Sequence, residues 1–208
     1  IIGGLIPCNA IPDEILTDHP DRFRAMIVES TNPIHSLADS ARMREAMRAL
    51  EFSVVIDVAM TETCMEADYI LPAASQFEKW EATFFTLEFP HNAFHLRPPL
   101  MEPLPGTLPE AEIHSRLVKE LGALDGLPLD ALRQAAQDGL DSYGMAFLGA
   151  VGHHPSLMGL AAVVLYETMG PALGEGTHGA EAIWGLCQTV AMTYPDSVAR
   201  AGFEGASP

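Results

Sequence analysis

The chain has 208 residues, of which 48% are hydrophobic and 19% are charged, enough apolar sequence for one large packed domain or two small ones. Its 28 acidic and 11 basic residues give a formal net charge of −17, which repels phosphate backbones and anionic lipid headgroups. We therefore expect a folded protein that does not bind nucleic acid.

The sequence contains no pattern of a metal centre or a membrane span. Its three cysteines lie far apart and form no C-x-x-C pair: Cys8, Cys64 and Cys187. The longest apolar run, from Leu157 to Tyr166, is shorter than the roughly 20 residues that a spanning helix needs. The chain begins without a methionine or a recognisable signal peptide, so we expect a piece of a larger protein and assign it to the cytoplasm.

Three apolar runs in the first half predict β-strands. They are Ala25 to Glu29, Phe52 to Asp57, and Tyr69 to Leu71, which Pro72 ends. Between them, Ser36 to Leu50 has helical periodicity and begins with the Ser36 and Asp39 spacing of a capping box, while Thr61 to Ala67 predicts a short helix. This β-α-β-α-β order predicts a doubly wound, Rossmann-like α/β fold with a mainly parallel sheet.

The pattern changes in the second half of the chain. A helix from Glu110 to Leu124 closes the predicted α/β domain, which we place at residues 1–125. Beyond Gly126 the sequence predicts a helical segment, residues 126–208. Its predicted helices run from Leu129 to Leu140, from Leu157 to Met169 and from His178 to Thr193.

Polar side chains follow two of the predicted strands. Thr31 and Asn32 come after the first strand, and Asp57 ends the second. Ligands of open parallel sheets bind at the carboxyl ends of the strands, so we expect a site there. The amide of Asn32 is suited to donate to phosphate or ribose oxygens, and Asp57 to accept from the neighbouring N–H donors of a guanine base. Each residue also has a structural interpretation, because Asn32-Pro33 is a common turn dipeptide and Asp57 can cap the next helix.

One motif is more specific than these isolated residues. Thr61-Glu62-Thr63 is followed by Ala67-Asp68-Tyr69-Ile70-Leu71-Pro72. On physical grounds Thr61 caps the short helix and Asp68 fixes the turn into the third strand, so most of the motif is structural. The residues and spacing of this motif resemble the T-E-T-x-x-x-A-D-x-x-L-P signature of the dimethyl sulfoxide reductase and formate dehydrogenase superfamily of molybdopterin oxidoreductases. The resemblance is strongest between Val28 and Phe84.

This resemblance implies a cofactor role for the first half of the chain. The third domain of these enzymes helps to hold a bis(molybdopterin guanine dinucleotide) cofactor, and the chain resembles that domain. The resemblance implies that one guanine nucleotide arm contacts Thr31, Asn32, Ser36, Asp57 and Lys79. Lys79 matches a lysine that lies near the pyranopterin or its phosphates. This role rests on the resemblance alone, because a Glu78-Lys79 pair is more often a solvated surface feature. Ala82 departs from the family's pattern, which has glycine there.

The resemblance also limits the expected activity. This sequence lacks the cluster-binding cysteines, the molybdenum ligand and the β-barrel domain of the superfamily. The resemblance therefore implies a segment that is inactive alone. Its implied partners are the remaining domains of the parent oxidoreductase and a redox partner subunit. No metal ligand is assigned here, since His153-His154 has no acidic residue or cysteine to complete a shell. The alternative is a cofactor-free scaffold domain, as in the large iron–sulfur subunit of respiratory complex I.

Overall fold

The computed structural model describes residues 5–83, 95–174 and 177–202. Phe84, the last residue of the motif-bearing stretch, therefore lies outside the described residues. The chain forms two compact units. Unit 1 contains residues 1–79 and 100–110, and unit 2 contains residues 80–99 and 111–208. The predicted boundary after residue 125 stays a prediction.

Unit 1 is built on a parallel three-stranded sheet. Its strands are β1 (Ala25–Glu29), β2 (Phe52–Asp57) and β3 (Tyr69–Pro72), which lie side by side in that order. β2 is the central strand, and its residues from Ser53 to Ile56 are all buried, as expected for a β-branched run with a neighbour on each side. The predicted α/β class with a parallel β-α-β-α-β core is confirmed.

Three helices pack with this sheet around one apolar core. They are α1 (Ile11–Leu16), α2 (Pro33–Ser36) and α3 (Ser40–Ala49). The buried members of the core are Val28, Ile34, Met43, Met47, Val55 and Cys64. Strands β1 and β2 thus contribute the residues of one sheet face to this core, and the helices contribute their apolar sides.

The helix predicted from Ser36 to Leu50 is wrong in its first third. Ser36 is the last residue of α2, and α3 starts only at Ser40. The cap of α3 is Asp39, whose carboxylate accepts a hydrogen bond from the Arg42 backbone N–H at 2.9 Å. The capping-box pattern was misleading because Pro33, at the first position of α2, begins a separate short helix earlier in the chain.

The second crossover is short and held by the predicted polar residues. Its helix is a single 3-10 turn, Cys64–Glu66, and Thr61 Oγ1 accepts from the Cys64 N–H at 3.3 Å. Asp68 Oδ2 accepts from the Ser53 N–H at 2.7 Å, which ties the end of the crossover to the start of β2. Both structural roles predicted for this motif are therefore observed.

Unit 2 is largely helical. Its elements are β4 (Glu81–Ala82), β5 (Leu96–Arg97), α4 (Glu110–Glu120), α5 (Leu129–Asp138), α6 (Leu140–His153), α7 (Ala161–Thr168), α8 (Glu181–Thr193) and α9 (Pro195–Arg200), with Glu110 itself in unit 1. Its core cluster includes Leu132, Tyr143, Leu157 and Val164, each at most 1% exposed. The helical character predicted for the C-terminal segment is confirmed.

The helix bounds in unit 2 differ from those predicted at several positions; among them, α4 ends at Glu120 rather than Leu124 and α8 begins at Glu181 rather than His178. α5 ends before Gly139, whose φ of 125° breaks the helix, so the predicted helix to Leu140 is two residues too long. α6 was not predicted because its three glycines lower helix propensity. Residues Pro155–Leu160 form a 3-10 helix before α7, where a continuous helix was predicted from Leu157. No described helix has the length and apolarity to cross a membrane.

Candidate functional site

The candidate site lies where β1 and β2 end. Glu29 pairs with Ile56 in the sheet register, and the Ser30 N–H donates to the Ile56 carbonyl at 3.0 Å. Asp57 follows Ile56 directly and pairs with Pro72 of β3. The loops that begin at Ser30 and Asp57 therefore leave the sheet at the same edge, as the parallel order requires.

Ser30 has an unusual backbone conformation at this edge. Its φ is 53°, and it is the one non-glycine residue with positive φ in the described part of the chain. An L-residue in the left-handed region is strained, by about 1–2 kcal/mol. This turn carries the chain from β1 into the loop of Thr31 and Asn32. Backbone strain of this kind is concentrated at functional sites, although it does not identify a ligand.

Asn32 is held by the neighbouring crossover. Its Nδ2 donates to Glu62 Oε2 at 2.6 Å, and its Oδ1 accepts from Thr63 Oγ1 at 2.7 Å. The Thr63 hydroxyl also accepts from the Ile34 N–H at 3.2 Å. Asn32 thus joins the loop after β1 to the T-E-T motif, and one of its two amide hydrogens has no partner among the described residues.

Glu62 is a charged member of this network. Its pKa lies below the ordinary value because the Asn32 amide and then its own backbone N–H donate to the carboxylate, with a smaller contribution from His35. Its Oε1 lies 3.9 Å from His35 Nδ1, and 44% of its side chain is exposed. Glu62 is therefore ionised at neutral pH and faces water beside Asn32.

Thr31 and Ser36 lie next to Asn32 along the chain. Ser36 Oγ donates to the Asn32 carbonyl at 2.6 Å, so α2 brings these two predicted contacts together. Thr31 is exposed, and its hydroxyl has no hydrogen-bond partner among the described residues. Both hydroxyls are at the surface, where a ligand at the strand ends has access to them.

Asp57 holds a turn and does not cap the next helix, Cys64–Glu66, which was its predicted structural role. Its Oδ1 accepts from the Val58 N–H at 2.7 Å and from the Ala59 N–H at 3.3 Å, which fixes the turn after β2. Its Oδ2 has no partner within the described ranges. Asp57 is half-buried, so one oriented carboxylate oxygen remains as an acceptor at the edge.

Lys79 is engaged in an ion pair. Its Nζ contacts both carboxylate oxygens of Glu110, and the two side chains are 16% and 18% exposed. The pair joins the two stretches of chain that form unit 1. The structure therefore brings Thr31, Asn32 and Ser36 together beside the turn of Asp57, and it gives Lys79 a partner that the sequence did not predict.

Sequence reasoning also missed the roles of Glu62 and Thr63. Glu62 is 30 residues from Asn32 in the chain, and their contact depends on the sheet register. The motif itself was the one available signal, but its spacing indicated only a turn. The described residues contain no group of three or more histidine, cysteine, aspartate or glutamate side chains that could hold a metal ion.

Comparison with known proteins gives one consistent family. The molybdopterin oxidoreductase family profile matches residues 8–103. Trimethylamine-N-oxide reductase of Vibrio parahaemolyticus is 32% identical over 103 residues, which cover 50% of this chain and 12% of that protein.

Two further relatives match the chain in part. The molybdopterin-containing subunit of thiosulfate reductase from Salmonella typhimurium is 28% identical over 58% of this chain and 15% of its own length. The alpha subunit of the F420-dependent formate dehydrogenase of Methanocaldococcus jannaschii is 35% identical over 36% of this chain and 11% of its own length. The chain thus spans a small part of each of these relatives. The residues that the molybdopterin oxidoreductase family profile matches, 8–103, contain the T-E-T motif and the loops that leave β1 and β2 at the candidate site.

Proposed function

We propose that this chain is a segment of a molybdenum-dependent oxidoreductase whose α/β unit binds one guanine nucleotide arm of a bis(molybdopterin guanine dinucleotide) cofactor. The observation that carries the proposal is the position of two residues within the stretch that the family profile matches: Asn32 lies in the loop after β1, and Asp57 is the last residue of the adjacent parallel strand β2. In open parallel sheets the carboxyl ends of the strands form the ligand crevice.

The chemistry of the edge fits a guanine nucleotide. The Oδ2 of Asp57, which has no partner in the described part of the chain, is an acceptor for the neighbouring N–H donors of guanine. The hydroxyls of Thr31 and Ser36 and the remaining Asn32 amide hydrogen suit ribose oxygens. The chain's residues bind and orient this arm, and the bound cofactor supplies the two-electron redox chemistry at molybdenum.

Lys79 is proposed to contact a phosphate of the cofactor, on the condition that its present partner is displaced. An ammonium group is a suitable counter-charge for a phosphate, but Glu110 already neutralises it in the structure. A phosphate therefore contacts Lys79 only by displacing Glu110.

The remaining domains of the parent protein and a redox partner subunit complete the proposed enzyme. The three relatives are named for trimethylamine-N-oxide, thiosulfate and formate, so no single substrate is assigned to this chain.

A cofactor-free scaffold is the second candidate. One observation favours it: the Asn32 amide and the Lys79 ammonium are both bound to carboxylates of the chain itself. A scaffold needs these contacts for stability and has no use for a free acceptor oxygen at the half-buried Asp57.

Calorimetric titration of the 208-residue chain with GMP distinguishes the two candidates. The nucleotide-site proposal predicts saturable binding that Asp57→Ala abolishes and that AMP does not reproduce, because adenine lacks the two adjacent N–H donors. Asp18→Ala is the matched control, since Asp18 is exposed and lies outside the edge. Absence of GMP binding in a folded wild-type chain would favour the scaffold.

A further inference from the structure

Glu62 holds the Asn32 amide in one orientation. The amide nitrogen donates to Glu62 Oε2 at 2.6 Å, and the amide oxygen accepts from Thr63 at 2.7 Å. Thr63 is fully buried and its single hydroxyl proton is used in this bond. A flipped amide would face the Glu62 carboxylate with its oxygen and leave Thr63 without an acceptor, so the carboxylate determines which amide atoms a ligand meets.

The edge is also negatively charged. Glu62 and Asp57 both present carboxylate oxygens there, and the hydrogen bond from Asn32 keeps the pKa of Glu62 low. The nearest partner of the free Glu62 oxygen is His35, whose side chain is 76% exposed. Such an edge attracts hydrogen-bond donors and repels a phosphate group.

The described residues of unit 1 contain no unpaired lysine or arginine that could offset this charge. Every one of these side chains in the described residues of the unit forms an ion pair with a carboxylate. The pairs are Arg22 and Arg24 with Glu51, Arg42 with Asp13, Arg44 and Arg48 with Glu66, and Lys79 with Glu110. A phosphate at the edge would have to break one of these pairs to gain a counter-charge.

We infer that this edge takes the uncharged, hydrogen-bond-donating part of its ligand, a guanine base with its ribose, and that it excludes phosphate. Glu62 is the positioning residue for this selectivity, because it orients the Asn32 amide and supplies negative charge beside it. The inference rests on the proposed function and specifies which part of the nucleotide unit 1 binds. The phosphates then extend away from the strand ends.

Titration of the full chain with guanosine, GMP and inorganic phosphate tests this inference. We expect guanosine and GMP to bind with dissociation constants within about threefold of each other, and phosphate not to displace guanosine, because no side-chain cation is available. In Glu62→Gln, guanosine binding should weaken about tenfold as Asn32 loses its charged partner. GMP binding should weaken less, since the same substitution removes a repulsive charge.

The ratio of the guanosine and GMP dissociation constants shows whether Glu62 positions the Asn32 amide or has only a general structural role. A structural role of Glu62 would weaken both ligands equally and leave the ratio unchanged. Glu51→Gln is the matched control: Glu51 lies before β2, at the opposite end of the strands, and also pairs with a cation. It should reproduce the wild-type ratio, and circular dichroism should show that both variants are folded.

Two results would overturn the inference while leaving the proposed function in place. They are GMP binding more than about tenfold tighter than guanosine in the wild type, or a ratio that Glu62→Gln does not change. If neither guanine ligand binds, the proposed function fails, and the inference fails with it.

Discussion

Asp68 and Ser53 form a reciprocal hydrogen-bonded clamp between the second crossover and the central strand. Asp68 Oδ2 accepts from the Ser53 N–H at 2.7 Å and from its hydroxyl at 3.0 Å, and the Asp68 N–H donates to Ser53 Oγ at 3.1 Å. Ser53 is 1% exposed. The clamp fixes the start of β2 and the approach to β3, and therefore supports the edge at which these strands end.

Replacement of Asp68 tests this clamp. Asp68→Ala leaves the buried Ser53 groups without their acceptor and should lower the free energy of unfolding by about 1–3 kcal/mol. Asp68→Asn retains one acceptor oxygen and should cost less. Chemical denaturation measures both, with Asp21→Ala as an exposed control that should change stability by at most about 0.5 kcal/mol. Equal stability of Asp68→Ala and wild type would exclude the clamp.

The positive φ of Ser30 predicts an unusual order of substitutions. Ser30→Gly relieves strain of about 1–2 kcal/mol and adds backbone entropy to the unfolded state worth about 0.5–1 kcal/mol, so it should be neutral or stabilising. Ser30→Val places a β-branched side chain at the same φ of 53° and should destabilise. Thermal unfolding gives the order, and a valine variant as stable as the glycine variant would contradict this backbone conformation.

A buried hydrogen bond in unit 2 predicts a measurable coupling. Thr168 Oγ1 donates to the Val164 carbonyl at 2.6 Å and therefore accepts from the Tyr143 hydroxyl at 2.7 Å. Both side chains are buried, and burial raises the pKa of Tyr143 to about 12. Tyr143→Phe should cost about 1–2 kcal/mol and Tyr194→Phe, at an exposed position, close to nothing. A double-mutant cycle with Thr168→Val that shows no coupling would refute the bond.

Glu181 predicts a pH-dependent stability of unit 2. It is 3% exposed, one carboxylate oxygen has no partner among the described atoms, and burial raises its pKa to about 7. Between about pH 4.5 and 7 the folded chain therefore holds a proton that the unfolded chain has released, so stability falls as pH rises.

Glu181→Gln removes this proton-linked change. The variant should gain stability relative to wild type as pH rises from 5 to 8, by on the order of 2 kcal/mol. Urea unfolding at both values tests the prediction, and a difference between variant and wild type that does not depend on pH would disprove it.

The sequence predicts local structure here better than it predicts side-chain partners. The bounds of β1 and β2 are confirmed residue for residue, because short β-branched runs between polar turns are strong local signals. The helix start at Ser36 is wrong because two local signals compete, and Pro33 determines the start instead. Local propensity alone does not decide between such alternatives.

At the candidate site, too, the positions of residues could be predicted from the sequence, but their side-chain partners could not. The sequence places Asn32 and Asp57 at strand ends, and the parallel register brings those ends to one edge. The partners Glu62 and Glu110 are 30 and 31 residues from Asn32 and Lys79, so only the tertiary fold brings them into contact. Those two acidic partners decide which polar atoms remain available to a ligand.

The proposed function requires that a guanine ligand binds at the carboxyl ends of β1 and β2. The most direct test is to follow the backbone amide resonances of the isotope-labelled chain during titration with guanosine and GMP. Binding at these strand ends predicts saturable shifts at Thr31, Asn32, Val58 and Ala59, without shifts at the opposite strand ends, Ala25 and Phe52. Saturable shifts confined to another surface, or none at all in the folded chain, would contradict it.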